Sequence, residues 1–404
     1  MMTRLIGCLL LVAMGGCVNQ TVKSTSVPPL AQPPAPVPEA EVLDVGVAIL
    51  DPGINNLQDD ELVYPEIRRA EATFIARELT QVLDDVGAWG AVRVVPDEQQ
   101  FTDLLVTGRI LHSDGEHLEL AVQVTDARGK QWIEKTYEGT TSRYAYDGRA
   151  GVDRDPFLLV YRSIANDMLQ VFNNTSSRDR LAIRQVAELR FARNFAEDAF
   201  SGYLDQDSKG TYTIARLPAE NDPMLDRVRN LRQRNYVFVD TLQGYYSGFS
   251  EEMYTPYQEW RKLSYEEVIA QRELQAEANQ RLIAGAAAVV AGIAAQTSSS
   301  DYANAAGVVG IAGGAYLLKS GLEKRAESSI HSLAIEELGQ SLSAEITPRV
   351  IELEDRTVRL SGSVEDQYSQ WRELMADIYA AEIGALDGNP DATADTSTPE
   401  ADAG

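Results

Sequence analysis

Residues 44–50 (DVGVAIL) are apolar at most positions and run into Asp51-Pro52-Gly53, a pattern that predicts a short buried strand closed by a turn. From 66 to 86 the period changes. Ile67, Ala70, Phe74, Ile75, Leu79, Val82, Leu83 and Val86 recur at three and four, which predicts a helix with one buried stripe, and Gly87 can end it. Residues 92–95 read as a strand. So do 104–111 (LLVTGRIL) and 118–125 (LELAVQVT), joined across Asp114-Gly115, a dipeptide suited to hairpin turns. A further turn at 126–130 leads into a strand over 132–137. The order β-α-β-β-β-β sets the helix apart from a meander, so the fold class is α+β, with a small mixed α/β domain over 43–139.

A helical region follows over 140–256. Asp155-Pro156 predicts a helix start with Asp155 as N-cap, and Phe157, Val160, Tyr161, Ile164, Met168, Leu169 and Phe172 form its apolar face. Ser176-Ser177-Arg178-Asp179 predicts the cap of another helix reaching 204, with Leu181, Val186, Leu189, Phe191 and Phe195 inside. Residues 209–217 suit either a strand or an exposed loop. Helical pattern resumes near Asp222-Pro223 and carries Leu225, Val228, Leu231, Tyr236, Val237 and Val239; Tyr245, Tyr246 and Phe249 lie beyond it in a glycine-containing stretch.

The region 257–346 has a mirrored pattern. Residues 257–281 are polar and rich in helix formers, 282–295 (LIAGAAAVVAGIAA) and 303–318 (ANAAGVVGIAGGAYLL) carry no charge, and 319–346 are polar again. Two antiparallel helices meeting at an apolar tip fit this order. Small residues recur at four in each arm, as Ala284, Ala288 and Gly292 and as Ala306, Gly310 and Gly314, a helix-packing ridge that lets backbones approach closely. The uncharged runs, 14 and 16 residues long, fall short of the roughly 20 needed to span a bilayer, which leaves soluble packing and membrane contact both open. Residues 347–383 predict a closing β-β-α unit, and the acidic 384–404 a disordered tail.

Charge and composition narrow the chemistry. Lys+Arg 36 against Asp+Glu 61 gives a net charge of −25, which argues against nucleic acid as a partner. Three His and two Cys leave little for metal or thiol chemistry. His112 and His117 flank the Asp-Gly turn without a third ligand, and His331 has Glu327 four residues before it, a helical ion pair. Asp59-Asp60, Asp84-Asp85 and Glu251-Glu252 read as solvated charge, because adjacent side chains diverge on a helix or strand. No G-x-S-x-G, H-E-x-x-H, P-loop or C-x-x-C motif occurs. No catalytic residue, cofactor or metal site is expected, and the chain reads as non-enzymatic.

The first residues read as an address. Arg4, the apolar run 5–14 and Gly15-Gly16-Cys17 form a secretory signal, and Met14-Gly15-Gly16-Cys17 resembles the lipobox of bacterial lipoproteins, with Met14 in place of the usual Leu. In that reading 1–16 is removed and Cys17 becomes the acylated, palmitate-bearing N-terminus. Val18 after it resembles the pattern sorted to the outer membrane. Residues 17–42, with six of the sixteen prolines, read as a Pro-rich tether.

Residues 43–139 resemble the small periplasmic domain of TolB N-terminal, CsgG-like and penicillin-binding-protein-activator lipoproteins. The likeness is carried by Val45-Gly46-Val47-Ala48-Ile49-Leu50, by the helix over 70–83, and by Asp103-Leu104-Leu105-Val106-Thr107-Gly108-Arg109-Ile110. It implies a non-enzymatic part of an envelope assembly. The expectation is an outer-membrane lipoprotein, lipid-anchored on the periplasmic side through Cys17, whose partner is itself or another envelope protein. An export pore built from the Gly/Ala hairpin is the alternative, and an envelope hydrolase a third reading.

Overall fold

The computed structural model describes residues 20–24, 27–54, 65–96, 102–146, 155–294, 349–352 and 357–387. The signal segment with Cys17, the Asp59-Asp60 pair, His331, the second arm with Ala306, Gly310 and Gly314, and residues 388–404 lie outside them.

The architecture is α+β. Its strands are β1 (Gln20–Ser24), β2 (Val45–Ala48), β3 (Val92–Val95), β4 (Leu104–Ser113), β5 (His117–Asp126) and β6 (Gln131–Thr140). They form one mixed sheet in the order β1-β6-β5-β4-β2-β3. β4, β5 and β6 make the antiparallel meander, while β2 lies parallel to both β3 and β4. Alternation in β5 buries Leu118, Leu120, Val122 and Val124 and turns Glu119 and Gln123 away from the core, the period-two pattern of a half-buried strand. α1 (Pro65–Asp84) crosses over between β2 and β3 and buries the stripe read from the sequence.

α2 (Leu158–Asn174) packs on β6, where Gly139 lets Leu159 and Val160 approach so closely that a Cβ would stand 2.6 Å from Val160. α3 (Ser177–Phe195) is capped as predicted, with Ser176 Oγ accepting from the Asp179 amide. It ends at Phe195, short of 204, and Leu181 is exposed rather than inside. After the short α4 (Glu197–Phe200), β7 (Leu204–Gln206) and β8 (Tyr212–Ile214) form a two-stranded hairpin, which resolves the strand-or-loop alternative over 209–217.

The largest departure concerns the long helix α5 (Pro223–Ala294), which runs unbroken for 72 residues through Gly244, Gly248 and Pro256. The sequence places a break near Tyr245–Phe249 and a new arm at 257, and neither occurs. An interior proline costs about 3 kcal/mol in a helix and each glycine about 1. Tertiary packing offsets these costs. Tyr246 joins the main core, and Phe249, Met253, Tyr257 and Trp260 pack with Ile67, Ala70 and Phe74 of α1 in a second apolar cluster. Val237, expected inside, is half exposed on the opposite face. β9 (Arg349–Glu352), β10 (Thr357–Leu360) and α6 (Val364–Asp387) supply the predicted β-β-α unit, and α6 docks on α5 with the Trp371 and Phe238 rings stacked 4.8 Å apart.

The Pro-rich segment also departs from expectation, because residues 27–42 lie along the domain rather than free of it. Asn166 accepts from the Ala31 amide at 2.8 Å and donates to the Pro29 carbonyl at 3.0 Å. Arg162 donates to the Pro28 carbonyl, Arg184 to the Glu39 carbonyl, and Arg180 pairs with Glu41 at 2.9 Å. The carbonyls of Pro28 and Pro29 lack intrasegment donors in an extended chain, so side chains of α2 satisfy them, while α3 holds Glu39 and Glu41. Ahead of this strap, β1 adds to the sheet parallel to β6, with Gln20 opposite Lys135 and Ser24 opposite Gly139.

Candidate functional site: a buried ionic lock beneath the long helix

A dense polar cluster lies where α1, α2, α5 and the β4–β5 turn converge. Arg261 of α5 is completely buried and donates from Nη1 to Asp155 Oδ2 at 2.7 Å. Its guanidinium also lies 3.9 Å from the Tyr257 ring centroid, 4.9 Å from that of Phe157 and 5.9 Å from that of Phe74. Burial alone would favour deprotonation, but the Asp155 carboxylate and the surrounding phenols hold the Arg261 charge well above its ordinary range. Asp155 is not the helix cap read from the sequence. It sits before α2, accepting from the Phe157 amide at 2.8 Å through one oxygen and from Arg261 through the other.

Glu71 of α1, also fully buried, accepts from the Tyr257 hydroxyl and the Ser113 hydroxyl. Arg68 lies 3.6 Å from the same carboxylate and donates to the Ser113 carbonyl. Burial raises the Tyr257 and Tyr161 hydroxyls far above the usual phenol range. A Ser, a Glu and a Tyr in contact could suggest acid–base chemistry. Here each is sealed, with Ser113 at 7% exposure and Glu71 and Tyr257 at 0%, so the cluster fixes structure rather than meeting a substrate. Its neighbour Gly115 tightens the joint: a Cβ there would fall 2.0 Å from the Arg261 carbonyl, so only glycine lets the β4–β5 turn abut α5.

Beside the lock, Arg77, Glu78, Gln81, Ser247, Ser250 and Tyr254 line an open cleft between α1 and α5. Burial and the nearby Asp155 charge push Glu78 up to about 7, and Arg77 and Arg261 only partly counter them. A second buried pair lies nearer the start of α5, where Arg232 stands 3.7 Å from Asp103 and burial pushes Asp103 up to about 6.

His112 and His117 do come together, with ring centroids 6.4 Å apart. Each faces a carboxylate, Asp114 at 2.9 Å and Glu116 at 3.3 Å respectively. Among the described residues no group of three or more His, Cys, Asp or Glu is placed to hold a metal, and no helix is long and apolar enough to cross a membrane. Ala284, Ala288 and Gly292 lie on the helical backbone of α5. The Arg261 lock escaped sequence reading because its partners are far apart in the chain. The available signal was the spacing of Phe249, Met253, Tyr257 and Trp260, which continues the apolar stripe of α5 into the stretch read as polar.

No family model matches the sequence, and no curated protein matches it. Among solved structures, a DUF330-family protein from Xanthomonas campestris is similar over 38% of this chain and 91% of its own, at 12% identity and a TM-score of 0.20.

Proposed function

We propose that the chain is a non-enzymatic scaffold of the bacterial envelope: an outer-membrane lipoprotein, anchored on the periplasmic side through Cys17, that presents a long helical arm to copies of itself or to another envelope protein. The observation that carries this reading is the placement of the two ends of the device. β1 runs parallel to β6, with Gln20 opposite Lys135 at mid-strand, so its N-terminus points toward the end of the sheet that holds the β5–β6 turn. Only residues 18 and 19 separate Cys17 from Gln20, so at about 3.6 Å per residue the anchoring cysteine can stand no more than roughly 11 Å from the start of β1.

α5 starts at the same end, where Arg232 meets Asp103, and leaves the domain at the opposite end, where Arg272 donates to Glu116 of the β4–β5 turn at 2.9 Å. From Arg272 it continues to Ala294, roughly 33 Å at 1.5 Å per residue. The arm therefore leaves the domain at the end opposite to the one from which β1 enters. This supports a scaffold reaching across the compartment over a pore through the anchoring bilayer. The resemblance of 43–139 to envelope-assembly domains points the same way.

Replacement of 274–348 by a short Gly/Ser linker tests the reading. The intact, detergent-extracted protein is expected to be a discrete oligomer or a stable complex, and the shortened one a folded monomer. Equal masses for the two would overturn the role of the arm.

A further inference from the structure

A second cleft, of about 260 Å³, opens between α3 and β8 and is lined by Arg190, Arg193, Asn194, Glu197 and Tyr212. Both arginines stack on one ring: their guanidinium carbons lie 4.8 and 5.1 Å from the Tyr212 centroid. Each is also fixed by a hydrogen bond. Arg190 donates to the Ala127 carbonyl at 2.7 Å and Arg193 to the Tyr212 hydroxyl at 3.1 Å. Burial and then the like charge of Arg193 pull Arg190 below its ordinary range, despite Tyr212 and Asp126, so cationic charge is crowded here. Two guanidinium forks held rigidly about one open volume match the oxygens of a tetrahedral oxyanion.

In a chain of net charge −25, such a cleft is a local reversal of sign. Its place in the fold gives it a direction. Arg190 is bonded to the β5–β6 turn, and the Tyr212 amide donates to the Arg128 carbonyl of the same turn at 2.7 Å. That turn lies at the end of the sheet toward which the N-terminus of β1, and so the chain leading back to Cys17, points. Among the described residues Glu197 is the one acid in the lining, against two arginines, while the neighbouring acids are engaged: Asp126 and Asp179 hold Arg128, and Asp207 accepts the Lys209 and Thr211 amides of its own turn.

We propose that the cleft lined by Arg190, Arg193 and Tyr212 binds a phosphate group, supplied by a phospholipid headgroup of the membrane in which Cys17 is anchored. The membrane source rests on the lipoprotein reading; the phosphate site itself does not. Bound headgroups at this end would hold the domain upright on the bilayer and keep α5 directed away from it.

The test uses the full mature chain with Cys17→Ser, so that neither acylation nor its failure affects the result. The protein is floated with vesicles of phosphatidylglycerol in phosphatidylcholine and titrated separately with inorganic pyrophosphate. Flotation that pyrophosphate competes away, and an affinity about tenfold weaker in Arg193→Gln for both ligands, is the expected result. Arg193→Lys, which keeps the charge and loses the fork, is expected to fall between them. Pyrophosphate binding that Arg193→Gln weakens, without flotation, would assign the site to a soluble phosphate ester and overturn the headgroup. Equal binding by the parent and a folded Arg193→Gln protein would overturn the site.

Discussion

The two halves of α5 are one helix built on different principles. Up to Trp260 it is amphipathic, burying residues such as Leu242, Tyr246, Phe249, Met253 and Tyr257 against α1 and the main core, and Arg261 with Asp155 closes the contact from beneath. Beyond Arg272 it passes the end of the sheet into a stretch, 282–295, that has no charge and is rich in alanine and glycine. The first half is stabilised inside the chain. The second half carries the composition of a packing surface without the amphipathic pattern that would seat it on the domain.

Asp155→Ala should break the first half most severely. It leaves the buried Arg261 charge unpaired, and removing one partner of a buried pair costs about 3–5 kcal/mol, to be read from urea unfolding. Ala288→Leu in the second half should leave that unfolding midpoint unchanged while reducing self-association, and a large loss of stability would mean the arm packs on its own domain. Tyr257→Phe removes the hydroxyl that Glu71 accepts, with an expected cost of about 1–3 kcal/mol by the same measurement.

The cleft beside the lock gives a pH dependence with a definite sign. Glu78 keeps its proton in the folded protein up to about 7 but releases it near the ordinary 4.5 when unfolded. Between those values unfolding releases a proton, so stability falls as pH rises. Asp103, pushed up to about 6, adds to the same trend over a lower window. Glu78→Gln should flatten the upper part of the profile, seen as a smaller decline of the melting temperature between pH 6 and about 7; an unchanged slope would remove Glu78 as the cause. The smallest expected effect is a gain. A Cβ at Gly244 meets nothing within 4 Å, so Gly244→Ala should stabilise the first half of α5 by about 0.4–1 kcal/mol.

Local pattern made much of the fold legible. β3 spans 92–95 as read, and alternation placed β4 and β5 within two residues, because these strands are half buried and their period is set by one face; β6 runs three residues beyond the 137 expected. The strap over 27–42 was not legible, since what holds its prolines is Arg162 and Asn166, more than a hundred positions away. The continuity of α5 was missed for a related reason: Gly244, Gly248 and Pro256 are local breakers overruled by aromatic packing against α1. Arg261 and Asp155 lie 106 positions apart, and Asp155-Pro156 carried a strong local meaning as a helix start that concealed its role in the lock.

The central claim is that α5 is anchored at its first half in order to present its second half to a partner. Light scattering on the detergent-extracted protein tests it most directly. A discrete oligomer that Ala288→Leu dissociates, with the domain still folded, is the predicted result. A monomer at every concentration, unaffected by Ala288→Leu and purified without a bound partner, would contradict it.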